Sequence, residues 1–346
     1  MSTNTAANTA PNTAIVLARR PTGQLRVDDF RKVDLPMPTI SDGEMLVEHR
    51  LFSMDAGFRN WMNEGSGDGY LAAMALGEPV MSLTLGTVVA SKRPDFAAGD
   101  QFMGRLAWTR FSKAGPDDFV TRLPKDLRFP LSYYAGVLGG TGMTAYFGVE
   151  DIARPRGGDV AVVSAAAGAV GNVAGQLLKA AGAYVIGISG SAEKCAVLEK
   201  EFGFDATINY RQEDLNTGLK RLCPEGMDIF FDNVGGTTLN TALHHVREFA
   251  RVVLCGSVST YESADGKPIP GPDNLFDMVT KRVLLKGFMY TDEAGRYPEA
   301  MAGLEGALRS GALRNAEYKL KGIESAPQAF CDMLAGKNLG KTLVEL

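Results

Sequence analysis

The chain has 346 residues, 45% of them apolar and 22% charged, with a formal net charge of −4. That length suits one large domain or two ordinary soluble ones, with a core large enough to stand without cross-links. No long basic run exists to neutralise phosphates and no apolar stretch is long enough to span a bilayer, so neither a nucleic acid nor a membrane is an expected partner.

The opening segment, MSTNTAANTAPNT, lacks the apolar core of a signal peptide and the arginines of a transit peptide, and residues 1–12 read as a disordered tail. Short apolar runs follow: AIVLA (14–18), EMLVEHRLFSM (44–54), LTLGTVVA (83–90) and DQFMGRLAW (100–108). Gly, Pro and Asp separate them, and FAAGD at 96–100 is a turn signal, which together predict a β-rich, barrel-like domain.

Near Tyr133 the rhythm changes, and LGGTGMTAYFGVEDIA reads as a helix entered through a Gly-rich turn. From Asp159 strands and helices alternate: VAVVS (160–164), YVIGI (184–188), TINY (207–210), MDIFFDN (227–233), ARVVLCG (250–256) and VLLKGFM (283–289) are the strands. Fully apolar strands alternating with helices predict an α/β fold, a doubly wound parallel sheet covered on both faces. After the helix YPEAMAGLEGALRSG, the ends YKLKGI and KTLVEL have no βαβ partner left, so they return to the first domain. The division expected is 13–138 with 317–346 for the β-rich domain and 139–316 for the doubly wound one.

The four cysteines, Cys195, Cys223, Cys255 and Cys331, show no C-x-x-C spacing and fit reduced thiols in a cytoplasm. A single histidine, His49, lies in the β-rich part, on an alternating strand that makes it a packed or surface residue. His244 and His245 are adjacent and point to different helix faces, so no metal site is expected.

SAAAGAVGNV (164–173) joins a strand to a helix inside these repeats. Gly168 and Gly171 hold the spacing of the second and third glycines of a dinucleotide fingerprint, and Ala166 takes the tight-turn position of the first. A pyrophosphate would sit on the helix start, near Gly168, Ala169, Val170 and Gly171. The next strand ends in Ser189, Gly190 and Ser191, with Lys194 one turn into the following helix and no carboxylate at the ribose position. Small hydroxyls and a lysine favour a 2′-phosphate, hence NADP(H) over NAD(H).

AAAGAVG (165–171), GSAEK (190–194), INY (208–210), FDNVGG (231–236), CGSVSTY (255–261), NLGKTLV (338–344) and LGGTGMTAYFG (138–148) stand in one order along the chain. In these motifs the sequence resembles the zinc-free branch of the medium-chain dehydrogenase/reductase superfamily. Within it, the closer match is to prostaglandin reductase and leukotriene B4 12-hydroxydehydrogenase-like enzymes, which include double-bond and curcumin reductases. The resemblance implies a Rossmann domain with a GroES-like barrel, usually a homodimer, reducing a small-molecule α,β-unsaturated carbonyl with NADPH. It further implies cofactor contacts from Ser191, Lys194 and Tyr210 at the 2′-phosphate. Asn233, Cys255, Gly256, Ser257 and Tyr261 would lie near the nicotinamide half, followed by Phe288, Met289 and Tyr290, with Asn338 reaching in from the returning tail.

No cysteine lies in the first 194 residues, so an alkoxide has no Lewis acid there. Conjugate reduction needs only a hydrogen-bond donor where charge develops on the carbonyl oxygen. Tyr261 is the leading donor, with Tyr70 and Tyr290 as others. The branch commonly carries an aspartate-proline-tyrosine-methionine-arginine run where this chain reads Asp55, Ala56, Gly57, Phe58, Arg59, and Thr280 stands at a further family tyrosine. Both changes are expected to enlarge or reshape the substrate pocket, near an apolar group of Met54, Phe58, Trp61 and Met62. Quinone reduction uses the same hydride step and is the alternative reaction, and a non-catalytic NADPH-binding role is the alternative of another class.

Overall fold

The computed structural model describes residues 11–66, 71–262 and 271–346. Strands β1 (Asn12–Leu17) and β2 (Phe30–Leu35) pair antiparallel. A larger sheet contains β3 (Met45–Ser53), β4 (Met81–Ser91), β5 (Gln101–Ala107), β6 (Phe111–Ala114) and β7 (Val120–Arg122). Along β5 every second residue is buried, Phe102, Gly104 and Leu106 in turn, as a strand with one core face requires. The β3–β4 register slips beside His49, where a Cβ on the facing Gly86 would lie 2.0 Å from Glu48 O. Only glycine lets the two strands close at that bulge.

Helices α1 (Leu131–Tyr134) and α2 (Gly140–Phe147) lead into the second half. There follow β8 (Val160–Val163), α3 (Ala169–Ala180), β9 (Tyr184–Ser189), α4 (Ala192–Lys200), β10 (Ala206–Asn209) and α5 (Leu215–Leu222). Next come β11 (Met227–Asp232), α6 (Gly236–Leu243), β12 (Val246–Leu254), the short α7 (Val258–Tyr261), α8 (Leu275–Thr280), β13 (Leu284–Gly287) and α9 (Tyr297–Ser310). The six strands run parallel in the order β10-β9-β8-β11-β12-β13. Counted from β8, this is the Rossmann order 3-2-1-4-5-6, with its switch point between β8 and β11. Helix α3 packs tightly enough that a Cβ on Gly175 would stand 2.0 Å from the Phe204 ring.

After α9 the chain crosses back. Strand β14 (Glu317–Lys321), helix α10 (Ala326–Leu334) and strand β15 (Lys341–Glu345) complete it. β15 pairs antiparallel with β3, Val344 opposite Phe52, so the returning end joins the GroES-like half. Residues 1–10 of the expected tail lie outside the described residues. Asn12 is a correction to that tail: it opens β1, is 2% exposed, and its amide exchanges hydrogen bonds with the Phe111 backbone.

His49 is packed, 1% exposed, against Phe52 and Phe102, with Nε2 at 2.9 Å from Ser112 Oγ. Burial pushes its pKa down to about 3. Above pH 6.5 the imidazole is neutral whether the chain is folded or not. Below it, the unfolded chain takes up a proton that the folded one refuses until about pH 3. Stability therefore falls as pH drops through this window, by up to about 1.4 kcal/mol per pH unit from this group. Urea unfolding at pH 7 and pH 5 should show a smaller pH dependence for His49→Gln than for wild type. An unchanged dependence would show that His49 is not responsible.

Candidate functional site

The loop between β8 and α3 has its left-handed residue at Ala165, φ 46°. The sequence places the tight turn at Ala166; the structure moves the strained position one residue earlier. Ala166 instead donates its N–H to Ile188 O (3.0 Å), and its Cβ lies 3.0 Å from where a side chain on Gly187 would start. Residue 166 must therefore be small because β9 is behind it. At Gly171 a Cβ would meet Ala165 O at 2.4 Å, so that glycine is obligatory for the loop to lie on its helix. Gly168 is the N-cap of α3, and Ala169, Val170 and Gly171 form its first turn. First-turn N–H groups have no partner within their helix and carry the positive end of its dipole.

Asp232, which sequence reasoning passed over, holds the switch point together. It is fully buried and accepts hydrogen bonds from Ser164 Oγ (2.8 Å) and from the N–H groups of Val234 and Gly235 (both 3.0 Å). Burial raises its pKa above the ordinary carboxylate value, against hydrogen bonds that favour the charged form. Its backbone carbonyl accepts from Cys255 and Gly256. Asn233 is seated by Ser164, donating its N–H to Oγ and its Nδ2 to the carbonyl, both at 2.8 Å. The ends of β8, β11 and β12 thus form one hydrogen-bonded unit, and Asn233, Cys255, Gly256 and Ser257 all belong to it. Burial pushes the Cys255 thiol up to about 12, so it is no thiolate at neutral pH.

At the end of β9, Ser191 caps α4 by accepting from the Lys194 N–H. Tyr210 lies over Gly190, where a Cβ would be 2.8 Å from its hydroxyl. Arg211 follows with its guanidinium 5.9 Å from the Tyr210 ring centroid. Burial first, and then Arg211, lowers the pKa of the Lys194 ammonium. Two cations, Lys194 and Arg211, and the Tyr210 ring thus gather around a Gly-Ser turn to which the Glu193 carboxylate is also hydrogen-bonded. Sequence reading named Lys194 and Tyr210 and did not name Arg211, which directly follows the INY motif and stands beside them.

Tyr261 ends α7, which packs against the turn Ala56–Met62 of the first half. Its hydroxyl oxygen accepts from the Ser257 N–H (3.2 Å), which leaves its own proton to donate elsewhere. Burial raises the phenol's pKa, so it stays protonated through neutral pH. The next residue, Glu262, accepts from Leu25 N–H at 2.8 Å, and Arg59 donates to Gly23 O at 2.9 Å. Segment 23–25 therefore anchors both the Tyr261 loop and the Ala56–Met62 turn. Phe58 and Met62 are buried in this turn, with the Phe58 ring edge-on to Trp61. Gly57 lies beside the Trp61 ring at ordinary van der Waals distance, where a Cβ would be 3.8 Å from it.

Phe288 packs beside Gly148, Met289 is 44% exposed, and Tyr290 stacks on Tyr297 with its hydroxyl against Gly140. Asn338 is buried and donates Nδ2 to Gly340 O (2.8 Å). Thr280 is exposed at the end of α8 and donates to Asp277 O. Tyr70 lies outside the described residues. His245 pairs with Asn216, and no group of three or more His, Cys, Asp or Glu side chains among the described residues is arranged to hold a metal ion. Among those residues no helix is long and apolar enough to cross a membrane.

The family described as zinc-binding dehydrogenase matches residues 169–305, and the one described as the N-terminal domain of oxidoreductase matches residues 13–121. The chain is 37% identical to the putative NADP-dependent oxidoreductase YfmJ of Bacillus subtilis (strain 168), over 98% of both chains. It is 35% identical to the NADP(+)-dependent 2-alkenal reductase of Nicotiana tabacum, over 96% of this chain and 97% of that one. The crystal structure of CurA in complex with NADPH from Vibrio vulnificus matches with a TM-score of 0.89 at 35% identity, covering 96% of this chain and 98% of that one.

Proposed function

The chain belongs to the zinc-free medium-chain dehydrogenase/reductase family, in its prostaglandin reductase, curcumin reductase and 2-alkenal reductase branch, and on that premise we propose that it reduces the C=C bond of α,β-unsaturated ketones and aldehydes with NADPH. The residues present fit this cofactor. The first turn of α3, behind its Gly168 cap, presents N–H groups with no partner in their own helix, and the end of β9 offers cations with no Asp or Glu at the ribose position. When bound, NADPH supplies the hydride for the substrate's β-carbon.

In this reading Gly168, Ala169, Val170 and Gly171 hold the pyrophosphate, and Ser191, Lys194, Tyr210 and Arg211 hold the 2′-phosphate. Asn233, Cys255, Gly256, Ser257, Phe288, Met289, Tyr290 and Asn338 line the nicotinamide half. Segment 139–316 carries the cofactor, and 13–138 with 317–346 carries the substrate. The observation that carries the mechanism is the Tyr261 phenol: half-buried, protonated, and accepting rather than donating to Ser257. Tyr261 donates its proton in a hydrogen bond to the carbonyl oxygen as enolate charge develops there. Phe58, Trp61 and Met62 exclude water on the opposite wall and favour an apolar enone.

The same reading makes the protein a cytoplasmic homodimer. Strand β13 is an edge of its sheet, and Leu284, Phe249, Phe276 and Val279 near it are 46%, 65%, 76% and 68% exposed. An apolar sheet edge of this kind is left for a partner, and a second copy satisfies it symmetrically. The four cysteines are free, as a reducing compartment keeps them. Recovery of the protein in an oxidising compartment on fractionation would contradict that location. Sedimentation should give a dimer for wild type and a monomer for Phe276→Asp; a monomeric wild type refutes the pairing.

NADPH oxidation with an aryl or alkyl enone should yield the saturated ketone with its carbonyl intact. An allylic alcohol as product, or turnover with a benzoquinone alone, would reject the reaction. Tyr261→Phe should lower kcat by about 100-fold with unchanged NADPH affinity. Because the phenol's pKa is raised, kcat should show no basic limb from this group below pH 10.

Lys194→Ala and Arg211→Ala should each weaken NADPH binding by about tenfold more than NADH binding. Equal losses for the two cofactors would remove these residues from the 2′-phosphate site.

A further inference from the structure

The stretch from Gly336 to Lys341 touches Lys194, the loop before α3 and the lead-in to the Ala56–Met62 turn, and its last residue carries a buried charge that none of the roles above uses. Gly340 donates its N–H to Ala167 O (2.8 Å) and forms a parallel bridge with Gly168 in the pyrophosphate loop. Its φ is +69°, and a Cβ there would lie 2.1 Å from Ala316 O, so no side chain is tolerated. One residue on, Lys341 is 3% exposed. Its ammonium donates to Met54 O (3.0 Å) and to the Asp55 carboxylate, which also accepts from Ser53 Oγ (2.7 Å). Met54 N–H in turn donates to Thr342 O at 3.0 Å. The stem of Lys341 crosses Gly136, where a Cβ would be 3.1 Å from Cγ. Two consecutive residues therefore grip the cofactor loop on one side and the lead-in to the Ala56–Met62 turn on the other.

We propose that Lys341 is a positioning residue that registers the Ala56–Met62 turn on the pyrophosphate loop, so that filling the cofactor site orders the substrate wall. A fold-holding role alone does not need this pair, because a well-packed apolar residue serves a core at least as well as a buried ion pair. What the pair adds is direction. The ammonium has donors to satisfy and reaches them only when Met54 and Asp55 stand at one height along β15. Gly57 follows two residues later and supplies no steric constraint of its own beyond its contact with Trp61. The register of the turn therefore has to come from outside it. Naming this turn as the substrate wall rests on the reductase reading; the coupling of the two segments does not.

Amide hydrogen exchange followed by mass spectrometry tests the coupling without any enone turnover. In the wild-type protein, saturating NADPH should slow exchange of the peptide spanning 54–62 by at least threefold. In Lys341→Met, NADPH should still bind within about threefold of wild type by nicotinamide fluorescence, and the added protection of 54–62 should be lost. Asp55→Asn keeps an acceptor but removes the charge, and should lose most of the protection in a chain that folds even where Lys341→Met does not. Lys341→Met/Asp55→Asn should recover stability relative to Lys341→Met, because no carboxylate is left without its cation. No NADPH-dependent protection of 54–62 in wild type would overturn the proposal. Full protection in either single variant would do so too, as would loss of NADPH binding in step with the protection. Absence of enone reduction with these protection changes intact would reject the reaction assigned above and leave the coupling standing.

Discussion

The site depends on one buried carboxylate. Asp232 sits where the order of the parallel strands reverses, and its hydrogen bonds from Ser164, Val234 and Gly235 fix the ends of β8 and β11 relative to each other. Burying an acid costs several kcal/mol unless its lone pairs are satisfied, and here backbone donors and a hydroxyl satisfy them. The same residue's carbonyl binds Cys255 and Gly256, so the Tyr261 loop begins from a fixed point. Without that anchor the crevice at the strand ends would have no defined width, and a ligand there would meet mobile loops instead of a formed surface.

Around this anchor the two halves are joined by polar contacts at their edges. Segment 23–25 receives Arg59 from the substrate-side turn and Glu262 from the cofactor-side loop. Segment 336–341 reaches Lys194, Ala167 and Asp55 in succession. Directional contacts of this kind hold register more sharply than apolar packing does, because a hydrogen bond loses strength steeply with angle.

Much of this was legible in the residues. Apolar strands alternating with helices gave the parallel sheet, and the unpaired strand-like ends YKLKGI and KTLVEL indicated a return to the first half, which β15 makes by pairing with β3. Gly168, Gly171 and Ser191 were legible because each serves a local backbone need, a cap or a close approach, that spacing shows, whereas Tyr210 was named only through the family resemblance. Asp232 and Arg211 were passed over for opposite reasons. Asp232 looked like an ordinary acid at a strand end, and only its complete burial reveals the hub. Arg211 is a charge next to a short strand in the sequence, and only the fold brings it beside Lys194 and Tyr210. Ala166 takes the fingerprint's tight-turn position by count, whereas the backbone places its left-handed residue at Ala165.

The sequence by itself determined the sheet, the helix start that faces a phosphate, and the preference for a 2′-phosphate. Each follows from period, spacing or the absence of one residue type, which are properties of neighbours along the chain. Only the tertiary structure decided how the two halves are set against each other and that Trp61 lies beside Gly57. Those depend on contacts such as Lys341 with Asp55 and Glu262 with Leu25, between residues more than 200 positions apart. Burial and distance act across that separation, and no local pattern records them.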